Sequence, residues 1–193
     1  MNKILLSAAF AASFIAPSAA NAQSIPAAVV AVVDLDKVTS QCTACVAANT
    51  AFRSRVSAVQ AREQSLASPL QAEQKSIQAA IDALPKGKEP DAALQARIRA
   101  FQSKGQAAEQ EAQRSREQLQ RDQAYILQQI REKLGPIYQQ VMQRRGANLM
   151  VETGQTLATS STVDVTNDVL AALNAALPTV QTSAPAPAQP QGR

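Results

Sequence analysis

The sequence predicts an α+β protein that is mainly helical, with a small oligomeric β body and a long, projecting antiparallel helical hairpin. Three observations predict this fold class. A β-branched apolar run at residues 27–35 is typical of a buried strand. From residue 46 to 145, apolar residues recur at spacings of three and four, interrupted once by a Pro and Gly cluster at 85–90. Aromatic residues make up only 3% of the chain, which is typical of long exposed helices rather than a dense core.

The amino-terminal segment, residues 1–22, reads as a signal peptide. A positive start at Lys3 precedes an apolar run at residues 4–16, and Ala20-Asn21-Ala22 fits the small residues of a cleavage site. The apolar run is too short to cross a hydrocarbon layer about 30 Å thick. We therefore expect cleavage after Ala22 and a soluble protein that is periplasmic if the source is a bacterium with two membranes.

The mature chain is expected to begin and end in the β body. Residues 23–45 would hold the first strand and a junction, and residues 146–177 the later strands and a terminal helix. The expected strands are Asn148–Glu152 and Gln155–Thr159, and the helix is expected to be capped by Thr166 and to run to Leu177. Three short strands and one helix are a poor core alone, so we expect them to be buried by oligomerisation. Residues 178–193 form a Pro-rich segment that is expected to be disordered.

Residues 46–145 are expected to form the hairpin arm. Its first helix, taken as Val46–Leu84, would be about 58 Å long and could not fit inside a compact body of this size. The seam between the two helices is diluted, because Glu63, Glu73 and Asp122 fall where a coiled coil needs apolar side chains. Pro69, Gly105 and Gly135-Pro136 add bending points, so the arm is expected to be flexible.

The apolar side chains of the arm fall into two groups. Those near the body are expected to pack against one another in the seam and hold the two helices together: Phe52, Val56, Val59, Ile126 and Ile130. Those farther out can serve either the seam or a bound partner, and they are the candidate client-binding residues: Leu66, Leu70, Ile77, Ile81, Leu84, Leu94, Ile98 and Phe101.

Charge is segregated between the arm and the body. Residues 46–145 carry a net charge of +6, whereas the rest of the mature chain carries −3. Such a field favours an anionic partner. The candidate anionic-contact residues are Lys86, Lys88, Arg97, Arg99, Arg114 and Arg116. Nucleic acid is not an expected partner, because no recognition fold or set of stacking aromatic residues is present.

The pair Cys42 and Cys45 is the sharpest local motif. A CxxC sequence near a helix start can support thiol–disulfide exchange, but the thioredoxin-like βαβ pattern is missing. A local disulfide or a buried thiol pair is favoured over catalysis. The chain has no histidine, which excludes a Ser/His/Asp triad, and it has no phosphate-binding loop. We therefore expect no enzyme activity, no cofactor and no metal.

Several segments resemble one known family. They are VVAVVDLDKV, the charged hairpin rich in Ala and Gln, IREKLGPIYQQVMQRRGANLMVE, and STVDVTNDVLAALN. Together they are similar to the Skp (OmpH) periplasmic chaperones over about residues 27–177. The resemblance implies a homotrimer whose arms enclose a cavity, and ATP-independent holding of unfolded outer-membrane proteins. Basic arm residues of some family members contact lipopolysaccharide; this sequence has no matching motif, and its cations near the tip are Lys86, Lys88, Arg97 and Arg99. The CxxC and the Pro-rich tail depart from the family pattern and leave a specialised role open.

Three functions remain to be separated. The first is a periplasmic holdase chaperone that prevents aggregation of unfolded outer-membrane β-barrel proteins. The second is a structural coiled-coil spacer or tether in the cell envelope, and the third is a thiol oxidoreductase that rests on the CxxC alone. A spacer needs a dense seam. The diluted seam therefore favours the chaperone.

Overall fold

A computed structural model describes residues 25–186 of the chain. The elements, in order, are β1 (Val30–Val33), α1 (Leu35–Gln41), α2 (Thr43–Asp82), α3 (Ala92–Arg145), β2 (Leu149–Glu152), a 3-10 turn (Thr153–Gln155) and α4 (Thr166–Ala176). The predicted fold class, α+β and mainly α with a small sheet and long helices, is confirmed. The predicted signal peptide, residues 1–22, lies outside the described residues.

Helices α2 and α3 form the antiparallel hairpin. They contain 40 and 54 residues, or about 60 and 80 Å of helix. Both run without a break through their internal prolines, Pro69 and Pro136. The turn between them includes Gly87 at φ 79°, a conformation that favours glycine. Asp91 follows the turn and caps α3, because its Oδ1 accepts the Leu94 N–H at 2.8 Å. The first helix thus starts three residues earlier and ends two residues earlier than predicted.

The sheet consists of two parallel strands. Val30 pairs with Leu149, and the register continues to Val33 opposite Glu152. The predicted strand at 148–152 is therefore present. The first strand is shorter than predicted, because Asp34 ends it and caps α1, its Oδ1 accepting the Lys37 N–H at 2.7 Å.

The predicted third strand at Gln155–Thr159 is wrong. That segment contains the end of the 3-10 turn and irregular chain, and Leu157 is fully exposed. Its place beside β1 is taken by Val163–Val165: the Val32 N–H donates to the Val163 carbonyl at 2.8 Å, and the Val165 N–H donates to the Val32 carbonyl at 2.8 Å. Val163 and Val165 are β-branched residues that suit this pleated, half-buried edge.

Thr166 does not cap the terminal helix. It is the first residue of α4, and its hydroxyl oxygen accepts the Asp34 N–H at 2.9 Å, which ties α4 to the end of β1. Asp164 Oδ1 accepts the Thr166 N–H at 2.8 Å. Thr166 does lie at the start of this helix, as predicted, but its hydroxyl bonds to a backbone group 132 residues away in the sequence and not to the helix itself.

The core lies where α4 packs against α1 and against the C-terminal half of α3. Val38, Val141, Val169 and Leu173 are completely buried there. The start of α2 belongs to the same cluster, since Ala44 and Ala48 are buried and Asn174 Oδ1 of α4 accepts the Thr43 N–H at 2.9 Å. The root of the arm is thus fixed to the body.

Residues 178–186 differ from the predicted disordered tail. They leave α4 and run along the root of the hairpin, where Gln181, Thr182 and Ala184 form hydrogen bonds with side chains of α2 and α3. A Pro-rich composition indicates that a segment cannot build its own core. It does not exclude binding to polar groups that another part of the chain supplies. Residues 187–193 of the predicted tail lie outside the described residues.

Candidate functional site

The candidate client-binding residues do not all share one environment. Ile77 is only 7% exposed, so it belongs to the seam and is not available to a partner without opening the hairpin. Ile81 is 37% exposed near the tip. The remaining candidates are partly buried between the two helices: Leu66, Leu70, Leu84, Leu94, Ile98 and Phe101.

A groove of about 720 Å³ opens along the middle of the arm. Leu66 and Leu70 of α2 lie on one side and Phe101, Gly105 and Ala108 of α3 on the other. Because glycine and alanine face the two leucines, the helices leave space that larger side chains would fill. We call this groove the seam notch.

A second groove of about 340 Å³ lies along the same stretch of the seam. It is also lined by Leu66, Leu70 and Ala108, together with Pro69 and Lys104. Both grooves open where Ala108 faces these two leucines, so the Leu66 and Leu70 side chains are accessible from two grooves.

Near the tip, Leu84 and Leu94 line another groove of about 590 Å³. Lys88 and Arg97 lie at its edge, with Glu89 and Asp91. Apolar side chains and cations thus occur together at this end of the arm. Ile81 and Ile98 line neither this groove nor the seam notch.

Ion pairs cross the seam at intervals along the hairpin. Arg116 Nε lies 2.8 Å from Glu63 Oε1, and Arg97 Nε lies 2.6 Å from Glu73 Oε1. Arg62 donates two hydrogen bonds to Glu111. The carboxylates that dilute the predicted seam are therefore paired across it, in a register that the sequence pattern alone does not give.

These pairs change the list of anionic-contact candidates. Arg97 and Arg116 bind carboxylates of this chain, so they are not the freely available cations that the sequence predicted. Lys86, Lys88, Arg99 and Arg114 are exposed and make no ion pair within residues 25–186. These four remain candidates for contact with an anionic partner.

The cross-seam arginines also set the pKa of their partners. Hydrogen bonds from Arg116, Arg97 and Arg62 lower the pKa of Glu63, Glu73 and Glu111, respectively, and outweigh desolvation. The carboxylates bind fewer protons in the folded hairpin than in the unfolded chain. Their contribution to stability is therefore complete above the unfolded pKa, about 4.3, and is lost as the pH falls through the folded value.

We expect acid to loosen the hairpin through these pairs. The urea midpoint of unfolding should fall between pH 5 and pH 3, and Glu73→Gln should reduce that fall because one of the shifted carboxylates is removed. Glu109→Gln is the matched control, since Glu109 is exposed and makes no ion pair among the described residues. An equal pH dependence in both variants would contradict this assignment.

Asp122 was expected only to weaken the seam, but it is completely buried. Arg55 Nη1 lies 2.9 Å from Asp122 Oδ2, and Gln118 Nε2 donates to Asp122 Oδ1 at 2.7 Å. Burial of a charge requires such partners. No pattern in the sequence indicates this site, because its partners are spread over α2, α3 and the tail.

Cys42 and Cys45 form a disulfide at the junction of α1 and α2. Both residues are buried, with exposed fractions of 0% and 6%. Cys42 also caps α2, its Sγ lying 3.2 Å from the Cys45 N–H. Thiol exchange needs an accessible sulfur. The burial favours the structural role that the sequence predicted over the oxidoreductase.

We expect the double variant Cys42→Ser, Cys45→Ser to lose about 2 kcal/mol of stability, the chain-entropy value for so short a loop. Serine at 42 keeps an N-cap acceptor. Urea unfolding measures the loss, and wild type reduced with dithiothreitol should match it. An unchanged urea midpoint in both the double variant and the reduced wild type would contradict the structural role.

Residues 25–186 contain no helix with an apolar stretch long enough to cross a membrane. The same residues contain no group of three His, Cys, Asp or Glu side chains placed to hold a metal ion.

Comparison with known proteins yields one family and one fold. Residues 29–173 match the family model described as outer membrane protein (OmpH-like). No significant match to a curated protein is found. A crystal structure of a candidate outer membrane chaperone (OmpH-like) from Caulobacter crescentus CB15 has a TM-score of 0.67 at 17% identity, covering 83% of this chain and 92% of the other. At that identity the structural likeness shows the fold alone. The family match extends from before β1 into α4, and the chain belongs to the OmpH-like family.

Proposed function

We propose that this protein is an ATP-independent holdase chaperone that binds unfolded outer-membrane β-barrel proteins and prevents their aggregation. The observation that carries the proposal is the seam notch, where Leu66, Leu70 and Phe101 remain accessible along a long projecting arm. Membership of the OmpH-like family and the fold shared with the Caulobacter protein support the same role.

The proposed mechanism is capture by many weak contacts. Each arm offers short apolar stretches at the notch and the tip, with Lys86, Lys88, Arg99 and Arg114 supplying positive charge along the arm and at its tip. A disordered client engages several such contacts at once, so its overall affinity exceeds that of any one contact. Release needs no nucleotide, since insertion into a membrane satisfies the client's backbone hydrogen bonds.

Self-association to a homotrimer is part of the proposal. The sheet has two strands among residues 25–186, and exposed apolar side chains lie in β2 and in the chain that flanks the strands: Ile25 (93%), Val29 (49%), Leu149 (46%) and Leu157 (108%). An exposed apolar strand edge favours pairing with another chain. Burial of these residues between copies would complete the body and place several arms around one cavity.

We expect light scattering to give about three times the mass of the mature chain at micromolar concentration. Replacing Val29 and Leu149 with Glu should shift the mass to that of one chain, because charges at the edge oppose burial. The same substitutions at exposed Val46 and Leu127 of the arm are the control. A folded monomer of the wild-type chain would contradict the proposed assembly.

The location follows from the same proposal. Unfolded outer-membrane proteins cross the periplasm on their way to the outer membrane. The predicted signal peptide at residues 1–22 would direct this chain to the same compartment. Contact of the four exposed cations with anionic lipid or lipopolysaccharide would hold the chaperone near the membrane that receives the client.

The deciding experiment is dilution of a urea-unfolded outer-membrane β-barrel into buffer without nucleotide, followed by light scattering. A stoichiometric excess of the assembled protein should suppress aggregation, whereas an inert protein of equal mass should not. Weaker capture of an acidic client at higher salt would report the electrostatic share. Equal aggregation with and without the protein, at both low and physiological salt, would rule out the chaperone. The remaining alternative would then be the structural coiled-coil spacer, which needs no accessible notch.

A further inference from the structure

Four polar side chains at the base of the hairpin form a site that the predicted function does not use. They are Arg55 of α2 and Gln118, Asp122 and Gln129 of α3, and we call them the root clamp. The Asp122 side chain is completely buried, whereas the Arg55 side chain is 40% exposed. The clamp therefore combines a buried carboxylate with donors that reach the surface.

The chain's own residues 181–184 occupy the root clamp. The Gln129 side-chain amide accepts the Gln181 N–H at 2.9 Å and donates to the Gln181 carbonyl at 2.8 Å. The Ala184 N–H donates to Asp122 Oδ1 at 2.8 Å, and Arg55 Nη1 donates to the Thr182 carbonyl at 2.9 Å. These are the N–H and carbonyl groups of the main chain, which every unfolded polypeptide carries.

Side chains of the occupying segment contribute little. The Ser183 hydroxyl lies 3.5 Å from Arg55 Nη2, at the outer limit of a hydrogen bond. The paired contacts of Gln129 imitate those of a neighbouring β-strand, which recognises a backbone with little regard to sequence. The geometry is thus that of a receptor for an extended backbone.

We propose that the root clamp is a binding site for an extended polypeptide backbone, that residues 181–184 occupy it in cis, and that an unfolded client competes with them for it. The last part rests on the proposed chaperone function. The tethered segment has a high effective concentration, so it keeps the clamp closed to single weak segments. A long unfolded client offers many such segments and can displace it.

The test opens the clamp in the full-length chain without altering it. Gln181→Pro with Ala184→Pro removes the two N–H groups that Gln129 and Asp122 accept. Ala186→Pro is the matched control, because Ala186 is exposed and makes no hydrogen bond among the described contacts. The probe is a fluorescent peptide with the sequence of residues 178–186, and circular dichroism verifies that each variant is folded.

The peptide should bind the opened double variant about tenfold more tightly than wild type or Ala186→Pro, since no tethered segment competes. Adding Gln129→Ala should abolish that gain. A urea-unfolded outer-membrane β-barrel protein should displace the bound peptide from the opened variant. In wild type, hydrogen exchange at the Gln181 amide should be slow, and Gln129→Ala should make it fast.

Equal peptide affinity in the double variant and the Ala186→Pro control would overturn the binding site. Failure of the unfolded β-barrel to displace bound peptide would overturn the competition. Fast exchange of the Gln181 amide in wild type would overturn occupation in cis. The peptide measurements require no holdase activity, so they can succeed where the aggregation assay fails, and the two proposals are distinguished.

Discussion

Leu173→Ala is expected to destabilise the protein by about 2–5 kcal/mol, the range for deleting a completely buried leucine side chain. Leu173 lies on α4 among Val38 of α1 and Val141 and Val169, which are also completely buried. The cavity would separate α4 from the root of the hairpin. Because the first turn of α2 is tied to Asn174, the loss should spread to the arm's attachment.

Urea unfolding followed by circular dichroism measures this loss at one protein concentration. Leu127→Ala is the matched control, since the Leu127 side chain is 44% exposed on the arm, outside the proposed assembly surface, and its truncation should cost less than about 1 kcal/mol. A loss below 1 kcal/mol for Leu173→Ala would show that α4 does not hold the body together.

Ala108→Leu is expected to have the largest effect on function. Ala108 lines both grooves beside Leu66 and Leu70, and a leucine there would fill the seam notch. Burying the added side chain should stabilise the hairpin by about 1–2 kcal/mol, below the full transfer value because the notch stays partly open. If the notch captures clients, the same change should slow capture about tenfold through loss of accessible Leu66 and Leu70.

The control is Ala100→Leu, an equal change on α3 at an exposed position that lines neither groove. It should leave both stability and capture near the wild-type values. Stopped-flow light scattering with an unfolded β-barrel measures capture, and hydrogen exchange measures the seam. Undiminished capture by an Ala108→Leu variant with a demonstrably tighter seam would remove the notch from the proposed mechanism.

Elements whose signal lies in neighbouring residues could be predicted from the sequence. The two long helices follow from the 3,4 spacing of apolar residues and the breaker cluster at 85–90, and β1 and β2 follow from their β-branched and apolar runs. The disulfide partners lie only three residues apart. Each of these features depends on a short stretch of chain, so a local pattern is enough to place it.

The missed features depend on partners distant in the sequence. The pairing of Val163–Val165, rather than Gln155–Thr159, with β1 and the bond from Asp34 to Thr166 both join β1 to the chain at the start of α4. The bond joins residues 132 positions apart. No spacing rule within one segment contains that information.

The sequence by itself determined that this chain would form a basic helical hairpin with a diluted seam on a small α+β body. Only the tertiary structure decided which charges the seam uses, because the relative register of α2 and α3 pairs Glu63 with Arg116 and Glu73 with Arg97. The same register brings Arg55 to Asp122 and creates the clamp that orders residues 181–184. A buried carboxylate needs donors from several segments at once, and only the folded chain brings them together.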